Sequence, residues 1–530
     1  MSDKFEMTAK TFQGLEGVLA DELRALGAED VTEGRRVVTF FGDKELLYRA
    51  NFCLRTALRV LKPFYKLRSL SADDLYEQLK QFPWEQLMTA DTTFAIDATV
   101  YSDKFTNSRF VTYRVKDAIA DYFNAHCGKR PSIRLTNPEL RFDVHISDDE
   151  VTLSLDSSGD PLYKRGWRMG QTEAPINEVL AAGIILLSGW HGECDLVDPM
   201  CGSGTFLIEA ALIAANINPG VYRKGFAFQQ WKDYDEELFS NIYNDDSAER
   251  EVTCHIYGSD IAPNAVVISQ ANVKRAGMSE HITVERKDLR EIEQVPAGGM
   301  LISNPPYGER LETDETFYRA MGERLKHVFT GYNAWLICYN PDHFNAIGLK
   351  PSISYPLNNG GLDCELRQYV IFDGSYNELR SRGESIKNDD FRASEDKRRL
   401  PRREFRPTRD DDRGPRREFR PHRDEDRGPR REFRPRRDED HGPRREFRPR
   451  RDEEPERPEL RAQVFGDMAP KQREANHRYD NDHDKEFRHT EMFAKRVLRD
   501  RKPKLSADQE VPIVHGRRKS WKRKGLDSDK

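Results

Sequence analysis

The sequence predicts an α/β protein: a parallel sheet wrapped by helices over residues 161–380, an α+β region ahead of it and a disordered tail behind. Three observations carry this. From residue 178, short apolar runs alternate with helical patterns, the order expected of a parallel sheet covered on both faces. Before residue 160, "FAIDATV" (94–100) and "LRFDVHI" (140–146) alternate apolar and polar residues with period two, as half-buried strands do. After residue 380 apolar residues become sparse and charge dominates.

Taken in chain order, "FQGLEGVLADELRAL" (12–26) sets Phe12, Leu15, Leu19, Leu23 and Leu26 on one helical face, and "RVVTFFG" (36–42) reads as a strand. A helix over 109–124 turns Val111, Val115, Ala118 and Tyr122 inward, between the strands 94–100 and 140–146; "VTLSLD" (151–156) follows as another strand. Its outer side and approach carry Lys104, Arg109, Arg114 and Lys116. Lys129, Arg130 and Arg134 follow, then Lys164, Arg165 and Arg168 in "LYKRGWR". Residues 1–380 hold 40 Lys and Arg against 56 Asp and Glu, a net of −16, so this local clustering marks a candidate phosphate-contacting surface. Further on, "CDLVD" (194–198), "HIYGS" (255–259), "ITV" (282–284), "GMLIS" (299–303) and "AWLICY" (334–339) read as strands. Helical patterns at 205–216, 263–277 and 315–329 separate most of them. Ligands of such sheets bind beyond the carboxyl ends of the strands.

The tail, residues 381–530, holds 46 basic and 35 acidic residues, a net of +11. "PRREFRP" recurs there with a 14-residue period, its Glu-Phe pairs at 404–405, 418–419, 432–433 and 446–447. One Phe per period cannot offset chain entropy, so disorder is expected. "GRRKSWKRKG" (516–525), with six basic residues and one Trp, suits a phosphate-seeking arm with one stacking ring, or else a solubilising tail. The seven cysteines, all before residue 380 and none in a C-x-x-C pair, fit reduced thiols in a cytoplasmic protein, and "MSDKFEMTAK" has no apolar signal core. The run "VLAAGIILLSGW" (179–190) is too short to span a bilayer, and the thirteen histidines show no ligand spacing, so neither membrane nor metal is expected.

Four stretches carry chemistry. "LVDPMCGSGTFLIEAA" (196–211) is a strand, a glycine turn and a helix start, in which Gly202 and Gly204 permit close approach of a ligand and Thr205 is placed to cap the helix. No Lys follows the turn and Asp198 precedes it, which disfavours a phosphate and suits a cationic or ammonium-bearing ligand. Asp260 stands after the next strand, where a carboxylate binds ribose hydroxyls, and Asp288 after the one beyond, in reach of an exocyclic amine. "SNPPYGER" (303–310) ends a buried strand with two residues that lack backbone donors, which makes a stiff loop.

Together, "DPMCGSGTFLIEAA", "YGSDIAPNAVVISQANVKRAG", "KDL" and "SNPPYGER" resemble the S-adenosylmethionine-dependent methyltransferases of the Rossmann-like class I. More narrowly, the chain resembles the THUMP-domain guanine-N2 methyltransferases of large-subunit (23S) ribosomal RNA. The resemblance covers about residues 1–375, including "SLDSSGDPLYKRGWR" (154–168) and "FAFQQWKDYDEE" (226–237). It implies a ferredoxin-like domain at 1–55, a THUMP RNA-binding domain at 56–160 and the transferase at 161–380. It implies S-adenosylmethionine as cofactor, held by Asp198, Pro199, Met200, Cys201, Gly202, Ser203, Gly204, Thr205, Asp260, Asp288, Leu289 and Asn304. Catalysis falls to Asn304, Pro305, Pro306 and Tyr307: the Asn304 side-chain oxygen and the Pro305 carbonyl accept the two amine hydrogens, while Tyr307 stacks on the base. Ribosomal RNA or a large-subunit assembly intermediate is the implied partner. A tRNA methyltransferase, a DNA-adenine or protein-glutamine methyltransferase, and an RNA chaperone with a vestigial site are the rival readings. "EMFAKRVLRDRKPK" (491–504) is similar to the segment that introduces a second transferase domain in longer family members, and one transferase activity is expected here.

Overall fold

The computed structural model describes residues 4–105, 107–306, 315–339, 341–359 and 362–374, all within one compact unit. The repeat tail and Tyr307 lie outside the described residues.

Two seven-stranded sheets organise it. The first holds β1 (Phe5–Lys10), β2 (Glu29–Gly34), β3 (Val37–Gly42), β4 (Arg59–Arg68), β5 (Phe94–Tyr101), β6 (Leu140–Ser147) and β7 (Glu150–Asp156), in the order β2-β3-β1-β4-β7-β6-β5. Sequence reasoning separates a domain ending at 55 from one beginning at 56. The two share this sheet, because β4 pairs antiparallel with β1 on one side and β7 on the other. Pro63 lacks a ladder donor, and the register slips between Pro63 and Tyr65. The helix Glu16–Ala25 buries Leu19 and Leu23 as its spacing predicts. The helix Ser108–Cys127 buries Val111, Val115, Ala118 and Tyr122; Asn107 caps it through Oδ1, and Gly128 closes it in the left-handed region.

The second sheet holds β8 (Leu196–Asp198), β9 (Ile256–Asp260), β10 (Ile282–Arg286), β11 (Gly299–Ser303), β12 (Tyr332–Cys338), β13 (Ile353–Asn359) and β14 (Leu362–Val370). Its order is β10-β9-β8-β11-β12-β14-β13. The first five strands run parallel, and β14 and β13 finish the edge antiparallel. The order reverses between β8 and β11, so a crevice opens at their carboxyl ends. This is the class I architecture that the resemblance implies.

The two halves share one core. The segment 219–244, between the glycine turn and β9, supplies much of it. Phe228 stacks on Tyr48 at 4.3 Å, Phe239 meets Phe52 edge-on, and the Tyr48 hydroxyl accepts from the Asp235 amide at 3.0 Å. A Cβ on Gly220 would stand 2.7 Å from the Phe52 carbonyl oxygen, so only glycine allows that approach. No described helix is long and apolar enough to cross a membrane.

Candidate active site

The residues predicted to hold a ligand converge at the switch point of the second sheet. Asp198 ends β8, Asp260 ends β9, Asp288 stands two residues past β10, and Asn304 follows β11 directly. Parallel pairing sets these ends side by side.

The glycine turn lies across the end of β9. The Cys201 amide donates to the Ser259 carbonyl (2.9 Å), and the Gly202 amide to Asp260 Oδ2 (2.9 Å). Gly204, at φ +78°, precedes the helix Thr205–Ala214, and a Cβ there would meet Ser269 Oγ at 2.4 Å. Thr205 does not cap this helix: Gly204 occupies the cap position, and the Thr205 hydroxyl accepts from Arg168 at 2.9 Å instead. Pro199 accepts from Ser259 Oγ at 3.5 Å, while Met200 donates its amide to Asp198 Oδ1 at 3.2 Å. Cys201 is buried beside Asp198 and Asp260. Burial and these carboxylates hold its thiol protonated, as suits a filler of the turn.

Asp198 is 1% exposed. Burial raises its pKa to about 7, opposed by hydrogen bonds from the Ser303 hydroxyl (2.6 Å) and the Met200 amide, while Asp260 adds repulsion. Among the described residues no cationic side chain pairs with it, so a cationic ligand group fits here. Asp260 already accepts from the Gly202 and Ala262 amides, and each oxygen keeps a lone pair for a hydroxyl. Arg290 grips Asp288 through Nε at 3.0 Å to both oxygens and holds its carboxyl below the usual range. Leu289, beside it, is buried.

The loop after β11 carries the decisive atom. Asn304 Oδ1 is buried and, among the described residues, has no hydrogen-bond partner. An orphaned buried acceptor costs stability, and at a crevice it marks a place kept for a ligand donor. Pro305 is buried, and the Pro306 carbonyl accepts from the Tyr318 hydroxyl at 3.0 Å. Among the described residues no group of three or more His, Cys, Asp and Glu side chains could hold a metal ion.

The predicted RNA surface needs two corrections. Arg165 is 2% exposed, paired with buried Glu209 (3.3 Å) and hydrogen-bonded to the carbonyls of Leu162 and Arg55, so it joins the two halves and is closed to RNA. Arg168 is committed to Glu178 (2.7 Å) and to the Ser203 and Thr205 hydroxyls (2.8 and 2.9 Å), which braces the glycine turn from behind. Sequence reasoning missed Asn272, which is fully buried. Its amide oxygen accepts from Met169 and Gly170, and its nitrogen donates to the Ser203 carbonyl at 2.9 Å. The other cations reach the surface, mostly beside acids. Lys104 lies 4.0 Å from Asp149, and Arg114 pairs with Asp73 over the Tyr76 ring. Lys116 pairs with Asp117, Lys129 with Asp91, Arg130 with Asp121 and Lys164 with Asp160. Arg109 and Arg134 are exposed.

Removing one partner of a buried ion pair leaves a charge without compensation. Arg165→Met is therefore expected to lose about 3–5 kcal/mol of stability in denaturant melts, against under about 0.5 kcal/mol for Lys164→Met. Equal losses would return Arg165 to the surface.

Comparison with known proteins agrees with this geometry. Three families match in chain order: "RlmL ferredoxin-like domain" at 6–61, "THUMP domain" at 70–156 and "RMKL-like, methyltransferase domain" at 165–368. A "Ribosomal RNA large subunit methyltransferase K/L" of Syntrophotalea carbinolica is 41% identical over 385 residues, 69% of this chain and 53% of that one. The chain thus spans about half the length of that relative. A "Putative RNA methyltransferase slr0064" of Synechocystis is 36% identical across 69% of this chain and 96% of its own length. Among solved structures, SMU.472, a putative methyltransferase complexed with SAH, superposes with a TM-score of 0.63 at 30% identity, over 71% of this chain and 100% of its own. With a relative matched nearly end to end and the three families in order, the chain belongs to the THUMP-bearing, RMKL-like methyltransferases.

Proposed function

We propose that this chain methylates the exocyclic N2 amine of a specific guanine in large-subunit ribosomal RNA, with S-adenosylmethionine as donor. The carrying observation is Asn304 Oδ1, a buried acceptor at the carboxyl end of β11 without a partner among the described residues. The ribosomal substrate draws support from the names of the K/L relatives, and N2 of guanine from the sequence resemblance.

The turn from Asp198 to Thr205, with Asp260, Asp288 and Leu289, would hold S-adenosylmethionine: Asp260 for the ribose hydroxyls, Asp198 for the ammonium group and Asp288 for the adenine amine. Bound there, the cofactor supplies an electrophilic methyl group on a sulfonium centre. An exocyclic amine is a poor nucleophile because its lone pair is delocalised into the ring. Asn304 Oδ1 and the Pro305 carbonyl accept its two hydrogens and turn the lone pair out of conjugation. The prolines fix the carbonyl before substrate arrives, which is electrostatic preorganisation. Tyr307, outside the described residues, is assigned to stack on the base. The surplus proton leaves to water. A paired guanine cannot enter this crevice, so the target is flipped or already unpaired. The surface cations Lys104, Arg109, Arg114, Lys116, Lys129, Arg130, Arg134 and Lys164 would contact the RNA backbone. Cytoplasmic residence follows from such a substrate.

Tritiated-methyl transfer to separated ribosomal and transfer RNA from a strain lacking the protein tests this. Label is expected in large-subunit RNA, as N2-methylguanosine on digestion. Label in tRNA alone overturns the ribosomal assignment, and no label in either leaves an RNA-binding role without catalysis.

A further inference from the structure

We infer that Tyr318 is a positioning residue for the Asn304–Pro305–Pro306 loop, an assignment resting on the amine-methylation reading above. Two adjacent prolines remove the backbone donors from two of this loop's three positions, so its carbonyls and its flanks do most to secure it. At the near flank, the buried Ser303 hydroxyl donates to Asp198 Oδ1 at 2.6 Å. At the far flank, the Tyr318 hydroxyl donates to the Pro306 carbonyl at 3.0 Å. The loop is therefore bracketed by two hydroxyls, one tied to the acid of the cofactor turn and one reaching out of the helix Glu315–Val328.

Tyr318 is well placed to hold such a tether. It is fully buried, its ring stacks on His343 at 4.5 Å and 23°, and its hydroxyl lies 3.7 Å from Cys338 Sγ on β12. A ring packed this way gives its hydroxyl little freedom, so the Pro306 carbonyl is held in one orientation. Holding that carbonyl also fixes the direction of the one before it, on Pro305, which the mechanism above assigns to the amine. Tyr318 touches neither substrate nor cofactor in this scheme; it acts through the direction in which the loop points its acceptors.

The molecule contains a matched control. Tyr332 is equally buried, and its hydroxyl donates to the Pro296 carbonyl at 2.8 Å, in a segment that ends no catalytic strand. Tyr318→Phe and Tyr332→Phe remove the same chemical bond, a buried tyrosine hydroxyl to a proline carbonyl. Made in the full chain, both variants are expected to lower the melting temperature by similar small amounts. Tyr318→Phe alone is expected to lower kcat for RNA methylation by about 10- to 100-fold, with the Kd for S-adenosylmethionine within about twofold of wild type. Equal kcat in the two variants, or a Tyr318→Phe enzyme as fast as wild type, overturns the assignment. A wild-type chain that binds S-adenosylmethionine yet methylates no RNA overturns the reading of the site, and this assignment with it.

Discussion

Asn304→Ala is expected to cut methyl transfer about 10²–10³-fold while S-adenosylmethionine still binds, the range seen when one preorganised polar group is removed from a reaction centre. The amide oxygen is buried and meets no donor among the described residues, so the fold bears it at a cost. Deleting it should leave stability unchanged or raise it by about 1–3 kcal/mol, the desolvation penalty of an unsatisfied polar group. Loss of function without loss of stability separates this residue from structural ones such as Arg165, whose removal lowers both. Single-turnover methyl transfer, calorimetric cofactor binding and thermal melts, run on one preparation, measure the three quantities. Turnover that survives the substitution would show that the amine is oriented by other groups, and the proposed mechanism would fall.

What the sequence made legible follows from where each element packs. β8, β9, β11 and β12 are interior parallel strands, and such strands read as apolar runs that stand out from their surroundings. Their ends place Asp198, Asp260 and Asn304, so much of the candidate site was visible in advance. β2 was not: "EDVTEG" is an edge strand with no buried residue, and a solvated edge leaves no period to read. β4 and β13 contain Pro63 and Pro356, which argue against a strand until a register slip and an outer edge are seen to accommodate them. Arg165 and Arg168 read as surface charge because their partners lie up to 110 residues away. One local signal did exist. Glu209 is a lone acid in "TFLIEAALIA", an otherwise almost wholly apolar helix, and a buried acid requires a buried cation. The segment 219–244 shows the same limit: its aromatic residues pack against Tyr48 and Phe52 across the shared core, partners that no local spacing reveals.

Asp198→Asn is the substitution expected to move function and stability furthest apart. Asp198 is fully buried, and its folded pKa of about 7 lies above the ordinary aspartate value of 3.8 because burial disfavours its charge. The folded chain therefore holds a proton that the unfolded chain releases. Stability from this group is complete below about pH 4 and is lost as pH rises to about 7, then changes no further. A shift of about 3 units bounds the loss at roughly 4 kcal/mol at pH 8. An asparagine in its place keeps an oxygen for the Ser303 hydroxyl and the Met200 amide and carries no charge. The variant should thus melt higher than wild type at about pH 8 and alike at about pH 4. Cofactor binding should run the other way. An ammonium group beside Asp198 favours the carboxylate, so binding expels a proton and wild-type affinity climbs with pH until about 7. The Asp198→Asn side chain offers that group no charge, so affinity should fall about 100-fold at pH 8 and lose its pH dependence. Calorimetry in two buffers of different ionisation enthalpy counts the proton directly. A variant that binds as tightly as wild type at pH 8, or a wild type that releases no proton on binding at about pH 6, would remove Asp198 from the cofactor site.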